Sequence, residues 1–466
     1  MSEGLYRAVG QARTGFVEAP AGCGKTEAIV RSVAHHCSGR QLVLTHTHAG
    51  VEALRRRFRL YQVKSSQYHV DTIAGWAWSW VRQYPNNAGY QMSSPYPDWT
   101  AVYPAMARLL QVEFVRSVIQ NSYTGVLVDE YQDCTMSMHL LLIALKDVVP
   151  CRVFGDDLQG IFSFGEENLV AWSDVKSAFV NDLGVLDEPH RWTKAGSEGL
   201  GKWLLRVRGS IRSRQEPTYA GSPVIHQMVS QRDVTKTLIS LSKKADGRLC
   251  IVGPKARPLP PAVETALSNI KFRILEPNEL SVLRDLIVAI SDVQTATVNK
   301  AILRFFARSF GGVDQADKAF FTKLVNKQPQ SPTRYDRRTL SEQYSAWPLA
   351  QRLLALIGYI EAQPKTVCKR RDSVSALKII LEQNLAEEVP VSVAYANNVA
   401  SRKFLDRSAV YRCAGSTLLV KGLEFDHVVV LRSADWQRSW GTHNDLYVAL
   451  TRGSKSVTLL DIEDPT

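Results

Sequence analysis

Residues 16–30, FVEAPAGCGKTEAIV, combine a short apolar strand, a turn that contains glycine and the beginning of a helix. This order suits phosphate binding, because turn amides can converge on an anion while the helix N-terminus adds a partial positive charge. Lys25 can then reach the β- and γ-phosphates, and the Thr26 hydroxyl can bind Mg²⁺. Ala19 stands where the GxxxxGK[ST] pattern has its first glycine. The stretch predicts a nucleotide site formed by Ala19, Pro20, Ala21, Gly22, Cys23, Gly24, Lys25 and Thr26.

Size and composition indicate a multidomain globular protein. The 466 residues allow two to four domains, and contents of 45% hydrophobic and 22% charged residues are typical of soluble chains. No apolar run approaches the ~18 residues of a membrane helix, and the N-terminal residues lack the apolar core of a signal peptide. Seven cysteines without a CxxC pair favour a reducing cytoplasm over a disulfide framework or zinc site. The net charge of +12 predicts a polyanionic partner, nucleic acid first. Because no apolar run is long enough for a membrane helix, we expect no membrane partner.

Strand-like apolar runs alternate with helical periodicity through residues 1–190, which predicts a doubly wound parallel sheet. The run TGVLVDEYQDC ends in Asp129 and Glu130. At the end of a buried parallel strand, Asp129 is expected to bind Mg²⁺ and Glu130 to orient or deprotonate the attacking water. Gln159, after the next strand-like run, is expected to sense the γ-phosphate, and Arg191 to stabilise charge in phosphoryl transfer.

Some clusters permit two interpretations. Trp76, Trp78 and Trp80 can pack in a core or stack on bases. The basic segments KQPQSPTRYDRR and QPKTVCKRRDS can form solvated faces or contact nucleic acid. The sequence leaves these alternatives open.

Eight segments resemble the ordered motifs of UvrD/Rep-like superfamily 1 helicases. They are APAGCGKT, THTHAG, VDTIAGWA, VLVDEYQD, GDDLQGIFSF, LDEPHRW, STLLVKGLEFDHVVV and NDLYVALTRGSK. The resemblance spans residues 5–460, with little contribution from 275–410. It implies an α/β chain with two RecA-like P-loop NTPase domains that bind ATP between them and move along single-stranded nucleic acid.

The resemblance also implies residue roles. Lys25 and Thr26 match the phosphate and Mg²⁺ ligands, Asp129 and Glu130 match the metal carboxylate and the catalytic base, and Gln159 matches the γ-phosphate sensor. The arginines that approach the γ-phosphate from the second domain are matched by Arg191 and Arg452, and a ribose contact is matched by Glu424. The expected nucleic-acid contacts are Thr45, His46, His48, Thr72, Phe162, Phe164 and Lys421.

Several positions depart from the family pattern. Leu5 stands where the family has its adenine-reading glutamine, so nucleotide specificity stays open. Pro189-His190 replaces an Asn-Tyr pair, Leu418 replaces a histidine that contacts DNA, and His46 replaces an aromatic residue. Phe162 and Phe164 stand where the family stacks bases on a tyrosine and a tryptophan; the two phenyl rings can stack likewise or be buried. These changes spare the phosphate chemistry and reduce the expected contacts with DNA.

Four regions follow from motif order and helical periodicity. They are a first RecA-like ATP-binding domain at 1–82 and 106–190, a small loop-rich insertion at 83–105, a second RecA-like domain at 191–275 and 406–466, and a helical insertion at 276–405.

The function implied is an ATP-dependent, nucleic-acid-stimulated DNA helicase or translocase, moving 3′ to 5′, with ATP and Mg²⁺ as cofactors and single-stranded or tailed duplex DNA as partner. The alternative is a DNA-sensing ATPase subunit that regulates a partner nuclease, as in a bacterial anti-phage defence system, with little unwinding of its own. A P-loop kinase is disfavoured because it leaves DEYQD, KGLEFD and both arginines without a role. The choice between DNA and RNA stays open.

Overall fold

The structure is a computed structural model with two compact units. One unit comprises residues 1–225 and 440–457, and the other comprises 226–439 and 458–466. Residues 191–225 and 440–457, which the motif order assigns to the second domain, thus group with the first unit. No helix within the described ranges combines the length and the hydropathy needed to cross a membrane. The described residues are 2–91, 97–161, 168–253, 259, 261–275, 280–291, 295–328, 335–344, 346–387, 389–402, 410–433 and 442–463.

The sheet of the first unit has six strands, all paired in parallel. They are β1 (Thr14–Glu18), β2 (Gln41–Thr45), β3 (Tyr68–Thr72), β4 (Gly125–Val128), β5 (Cys151–Gly155) and β6 (Asp182–Val185). Their order is β3-β2-β4-β5-β1-β6. The parallel sheet expected for this half is confirmed, and the carboxyl ends of its strands share one edge, where open α/β sheets bind ligands.

Both faces of this sheet are buried. Leu42 and Leu44 of β2 belong to one hydrophobic core, while Val43 between them belongs to the core on the other face. In β4, Val128 belongs to the same core as Leu42 and Leu44, and Leu127 belongs to the same core as Val43. Burial on both faces explains why these strands read as continuous apolar runs.

Helices cover the two faces of the sheet. The described part of residues 83–105, expected to be rich in loops, contains the short helix Pro85–Ala88 and most of the helix Trp99–Leu109. The α-helices of this unit are Ser2–Gln11, Lys25–His35, His48–Leu60, Ile73–Val81, Pro85–Ala88, Trp99–Leu109, Glu113–Ser122, Met136–Lys146, Trp172–Ala178, His190–Lys194, Glu198–Arg206, Arg208–Arg212 and His443–Leu450, with 3₁₀ turns at Ser65–Gln67, Tyr131–Asp133 and Asp157–Gln159.

The tryptophan cluster packs in the core of the first unit. Trp76 is fully buried, and Trp78 and Trp80 pack against the same hydrophobic cluster. Trp78 meets Tyr90 edge-on at 5.6 Å, and Trp80 stacks on Tyr84 at 6.1 Å between ring centroids. The packing alternative therefore accounts for all three indoles.

The remaining described strands are β7 (Ile225–Ser230), β8 (Leu249–Gly253), β9 (Arg273–Ile274), β10 (Phe310–Gly311), β11 (Val367–Cys368), β12 (Arg412–Ser416), β13 (Phe425–Ser433) and β14 (Gly453–Glu463). Six of them form a second sheet with the order β7-β14-β13-β8-β12-β9, and a short antiparallel ladder joins β10 to β11. The strands β8, β9, β12 and β13 pair in parallel. Together the two six-stranded sheets make the chain a mixed α/β protein. The accompanying helices are Val234–Lys244, Pro261–Asn269 and Thr417–Val420.

Residues 281–402 are mostly helical and enclose their own hydrophobic core. A short antiparallel ladder, β10–β11, interrupts the helices of this region. There Gly312 (φ +72°) turns the chain after β10, and buried Phe310 stacks on Phe306 at 5.8 Å. The helices are Ser281–Ser291, Thr295–Ser309, Gln315–Val325, Tyr335–Tyr344, Leu349–Glu361, Arg371–Glu387 and Val391–Arg402.

Two arginines from the basic segments of this region form internal ion pairs. Arg337 donates to buried Asp317 at 2.6 Å and to the Tyr359 hydroxyl at 3.0 Å. Arg370 donates to Glu264 at 3.2 Å. These side chains stabilise the unit instead of forming a solvated cationic face.

Candidate nucleotide site

The predicted phosphate turn links β1 to the helix Lys25–His35. Gly22 (φ +71°) and Gly24 (φ +87°) adopt left-handed backbone conformations that favour glycine. A Cβ on Gly22 would lie 2.6 Å from the Trp192 ring, and one on Gly24 would lie 3.2 Å from the His190 ring. The backbone conformation therefore favours glycine at both positions, and lack of space adds a second reason at Gly22.

The other turn residues are buried or tied to neighbouring strands. The Ala19 amide donates to the Gly155 carbonyl at 2.8 Å, which ties the start of the turn to the end of β5. The Cys23 amide donates to the Pro20 carbonyl at 3.2 Å. Burial, with a smaller contribution from Asp156, raises the pKa of the Cys23 thiol to about 12, so it stays protonated near neutral pH.

Lys25 faces both predicted carboxylates. Its Nζ contacts the Glu130 carboxylate and lies 3.4 Å from Asp129 Oδ1. Burial lowers the pKa of Lys25, but the charges of Glu130 and Asp129 outweigh it and raise the pKa above its ordinary value. Burial raises the pKa of Asp129 to about 6, against the opposing effect of Lys25. One ammonium thus faces two carboxyl groups.

The donors around this cluster fit a hard divalent cation. With both carboxyl groups ionised, the side chains of Lys25, Asp129 and Glu130 together have a net negative charge, which favours a bound cation. Asp129 offers a buried carboxylate, and Thr26 offers a hydroxyl one residue after Lys25. Oxygen ligands of this kind are the ones that Mg²⁺ prefers.

Backbone conformation and one side chain fix the orientation of Glu130. Its φ of +57° is left-handed, which costs a non-glycine residue about 1–3 kcal/mol. Its amide donates to Asp129 Oδ1 at 2.9 Å, and Gln132 Nε2 donates to Glu130 Oε2 at 2.6 Å. Gln132 also accepts from the Asp156 amide at 3.0 Å. Gln132 was not predicted as a site residue, although an amide two positions after Glu130 in DEYQD is a signal for it.

Gln159 and Arg452 are in direct contact. Both are buried, and Arg452 Nη2 donates to Gln159 Oε1 at 3.1 Å. Gln159 Nε2 in turn donates to Asp156 Oδ2 at 2.9 Å, and the Ala21 amide of the phosphate turn donates to the same oxygen at 3.2 Å. Asp156 therefore connects the turn with the predicted sensor and one predicted arginine.

Arg191 bridges the phosphate turn and the C-terminal segment. Its amide donates to the Gly22 carbonyl at 3.1 Å, and its Nη1 donates to the Thr451 carbonyl at 2.6 Å. Trp192 Nε1 donates to the Gly453 carbonyl at 2.8 Å. The structure thus brings Lys25, Glu130, Gln159, Arg191 and Arg452 together within the first unit.

In the first half of the chain, the residues predicted to contact nucleic acid lie at or just after the ends of β2 and β3. Thr45 and Thr72 end β2 and β3 as paired neighbours, and both are buried. The Thr72 hydroxyl accepts from the Gly75 amide at 2.9 Å, which caps the following helix. His46 Nε2 lies 3.5 Å from Cys134 Sγ, and His48 begins the helix His48–Leu60.

The remaining predicted residues lie elsewhere. Lys421 follows the helix Thr417–Val420, and exposed Glu424 directly precedes β13, both in the second unit. Phe162 and Phe164 lie outside the described residues.

Comparison with known proteins finds no matching family model and no matching curated protein. The chain is similar to the crystal structure of an arterivirus helicase, nonstructural protein 10, with a TM-score of 0.38 and 11% identity over 100% of this chain and 62% of that one. It is also similar to a complex of arterivirus nonstructural protein 10 with DNA, with a TM-score of 0.30 and 15% identity over 55% of this chain and 51% of that one. The chain thus matches less than two thirds of the length of either helicase.

Proposed function

We propose that the chain is a nucleic-acid-stimulated ATPase of the UvrD/Rep-like superfamily 1 type that acts as a DNA helicase or translocase. One observation carries the proposal: Lys25 of the phosphate turn faces Asp129 and Glu130, while Gln159, which is linked to Glu130 through Asp156 and Gln132, contacts Arg452. A phosphate-binding lysine, two carboxyl groups, an amide and an arginine at one sheet edge are the parts that phosphoryl transfer to water requires.

Each residue has a role in this proposal. Lys25 exchanges its carboxylate partners for the β- and γ-phosphates when nucleotide binds. Glu130, oriented by Gln132, accepts a proton from the attacking water. Gln159 contacts the γ-phosphate, and Arg191 and Arg452 stabilise the charge that develops on it. Thr26 and Asp129 would bind Mg²⁺, which supplies charge neutralisation at the phosphates.

We also propose that the two six-stranded sheets belong to two RecA-like domains, with insertions at 83–105 and 276–405. In this arrangement Glu424 contacts the ribose. Single-stranded DNA lies along Thr45, His46, His48, Thr72 and Lys421, and translocation runs 3′ to 5′. The excess of positive charge supports a polyanionic partner and makes its binding sensitive to salt.

A DNA-sensing ATPase that regulates a partner nuclease, as in anti-phage defence, is the second candidate. The internal ion pairs of Arg337 and Arg370 favour this second candidate, because two cations that are paired within the protein do not contribute to a cationic surface that binds duplex DNA. Unwinding of a 3′-tailed duplex by the isolated chain supports the motor. DNA-stimulated ATPase activity without strand separation supports the regulator.

The proposal is tested by nucleotide hydrolysis with each of the four NTPs, with and without single-stranded DNA and RNA. We expect ATP hydrolysis stimulated by DNA in the wild-type chain and lost in Lys25→Ala. Hydrolysis that is unaffected by Lys25→Ala would remove the assignment of this site.

A further inference from the structure

Arg208 lies outside every motif singled out in the sequence, yet it occupies the centre of a buried ion cluster. Its side chain is only 7% exposed. Nη1 donates to Asp156 Oδ1 at 2.7 Å and to the Tyr447 hydroxyl at 2.8 Å. Nη2 donates to Glu18 Oε1 at 2.8 Å and lies 3.4 Å from Asp157 Oδ1. One guanidinium thus contacts four side chains that come from three distant parts of the sequence.

Each of these partners adjoins a part of the candidate site. Glu18 is the last residue of β1, immediately before the phosphate turn. Asp156 accepts from the Ala21 amide and from Gln159, and Asp157 begins the 3₁₀ turn that carries Gln159. Tyr447 lies in the helix His443–Leu450, which ends two residues before Arg452. Arg208 therefore contacts residues that adjoin the phosphate turn, the predicted sensor Gln159 and the predicted arginine Arg452.

We propose that Arg208 is a positioning residue for hydrolysis, which sets Gln159 and Arg452 relative to the phosphate turn through its contacts with Asp156 and Tyr447. This inference rests on the proposed ATPase function. Its direct consequence is that loss of the forked guanidinium slows the hydrolytic step while nucleotide still binds. Errors of about 1 Å in such positioning can reduce rates by about 100-fold.

Arg212, on the same short helix, provides a matched control. It contacts Asp157 at 2.7 Å and also contacts Glu18, but its side chain is 40% exposed. Among the described cations, Arg208 alone forms an ion pair with Asp156. Arg212→Lys thus perturbs the same cluster without touching the carboxylate that supports Gln159.

The experiment compares Arg208→Lys, Arg212→Lys and Tyr447→Phe. The readouts are kcat and KM for ATP at saturating single-stranded DNA, the Kd of a non-hydrolysable ATP analogue, and the thermal unfolding midpoint. Lysine keeps the charge of Arg208 but cannot donate to Asp156 and Glu18 through a fork. We expect Arg208→Lys to lower kcat about tenfold or more with the analogue Kd within about threefold, and Arg212→Lys to change kcat less than about twofold.

Equal decreases in kcat in the two lysine variants would overturn the inference. A decrease in activity that is fully explained by a smaller fraction of folded protein would overturn it as well. If Arg208→Lys does not fold, Tyr447→Phe decides, because it removes a single hydroxyl: a lower kcat at unchanged analogue affinity supports the inference, and an unchanged kcat contradicts it. Failure of the ATPase proposal is distinguishable, since it would appear as hydrolysis that Lys25→Ala does not affect. If Arg208→Lys has the kcat of the wild type while Lys25→Ala has lost ATP hydrolysis, the role of Arg208 is refuted and the ATPase proposal still stands.

Discussion

Arg452 donates a hydrogen bond to the side-chain oxygen of Gln159 at 3.1 Å, across 293 positions of sequence. This contact joins a predicted arginine of the last motif to the predicted γ-phosphate sensor. Because Gln159 also donates to Asp156, which accepts from the Ala21 amide, the contact extends to the phosphate turn. The two residues are therefore expected to act in hydrolysis as a unit.

A double-mutant cycle measures this coupling. Gln159→Ala and Arg452→Ala should each lower kcat for ATP at saturating DNA, and the double variant should be little worse than the poorer single variant, because residues in one network are not additive. Lys202→Ala, which removes an exposed pair with Glu198, serves as the control and should combine additively with Gln159→Ala. Additive losses for Gln159 and Arg452 would show that their contact does not matter for turnover.

Gly22→Ala should impair the phosphate turn. The left-handed backbone alone costs an L-residue about 1–2 kcal/mol, and the new methyl group would lie 2.6 Å from the Trp192 ring. We expect weaker binding of an ATP analogue and a lower unfolding midpoint. The matched control is Gly4→Ala in the helix Ser2–Gln11, where the Cβ meets no atom within 4 Å and stability should rise by up to about 1 kcal/mol. Normal analogue affinity in Gly22→Ala would contradict the turn geometry.

Lys421→Ala should weaken binding to single-stranded DNA to a similar extent for all sequences. If Lys421 neutralises one phosphate, the slope of log Kd against log salt should fall by about one. Lys244→Ala, at an exposed position of the same unit, should leave the slope unchanged. Fluorescence anisotropy at several salt concentrations measures both variants, and equal slopes for wild type and Lys421→Ala would exclude the contact.

The Arg337–Asp317 pair should stabilise the helical region in a pH-dependent way. Burial raises the pKa of Asp317, but hydrogen bonds from Tyr359 and Arg337 outweigh it and lower the pKa below its ordinary value. The stabilisation is therefore complete above the unfolded pKa of about 3.9 and is lost as the pH falls through the lower folded value.

Arg337→Met should lower the free energy of unfolding by about 2 kcal/mol near pH 7, because it leaves buried Asp317 with fewer donors. The difference from wild type should shrink at the acidic end of a pH series of chemical denaturation curves. Arg338→Met removes only an exposed pair with Glu342 and should show no measurable change. A wild-type–variant difference that is independent of pH would rule out the linkage to Asp317.

Local sequence patterns account for the first sheet and for the strand ends. Continuous apolar runs predicted parallel strands buried on both faces, and Asp129 follows such a run at the edge where ligands bind. The ladder of β10 and β11 was missed because two residues per strand leave no periodic pattern. Arg208 was missed for another reason: its partners Glu18, Asp156 and Tyr447 meet it only through the tertiary fold, so no local spacing marks it.

The central claim is that the edge of the first sheet hydrolyses ATP and that nucleic acid controls the rate. Steady-state ATP hydrolysis by the wild type and by Glu130→Gln, each with and without single-stranded DNA, tests it most directly. The account predicts DNA-stimulated turnover in the wild type and a loss of about 100-fold or more in Glu130→Gln, with binding of an ATP analogue retained. Full DNA-stimulated turnover in Glu130→Gln would contradict it.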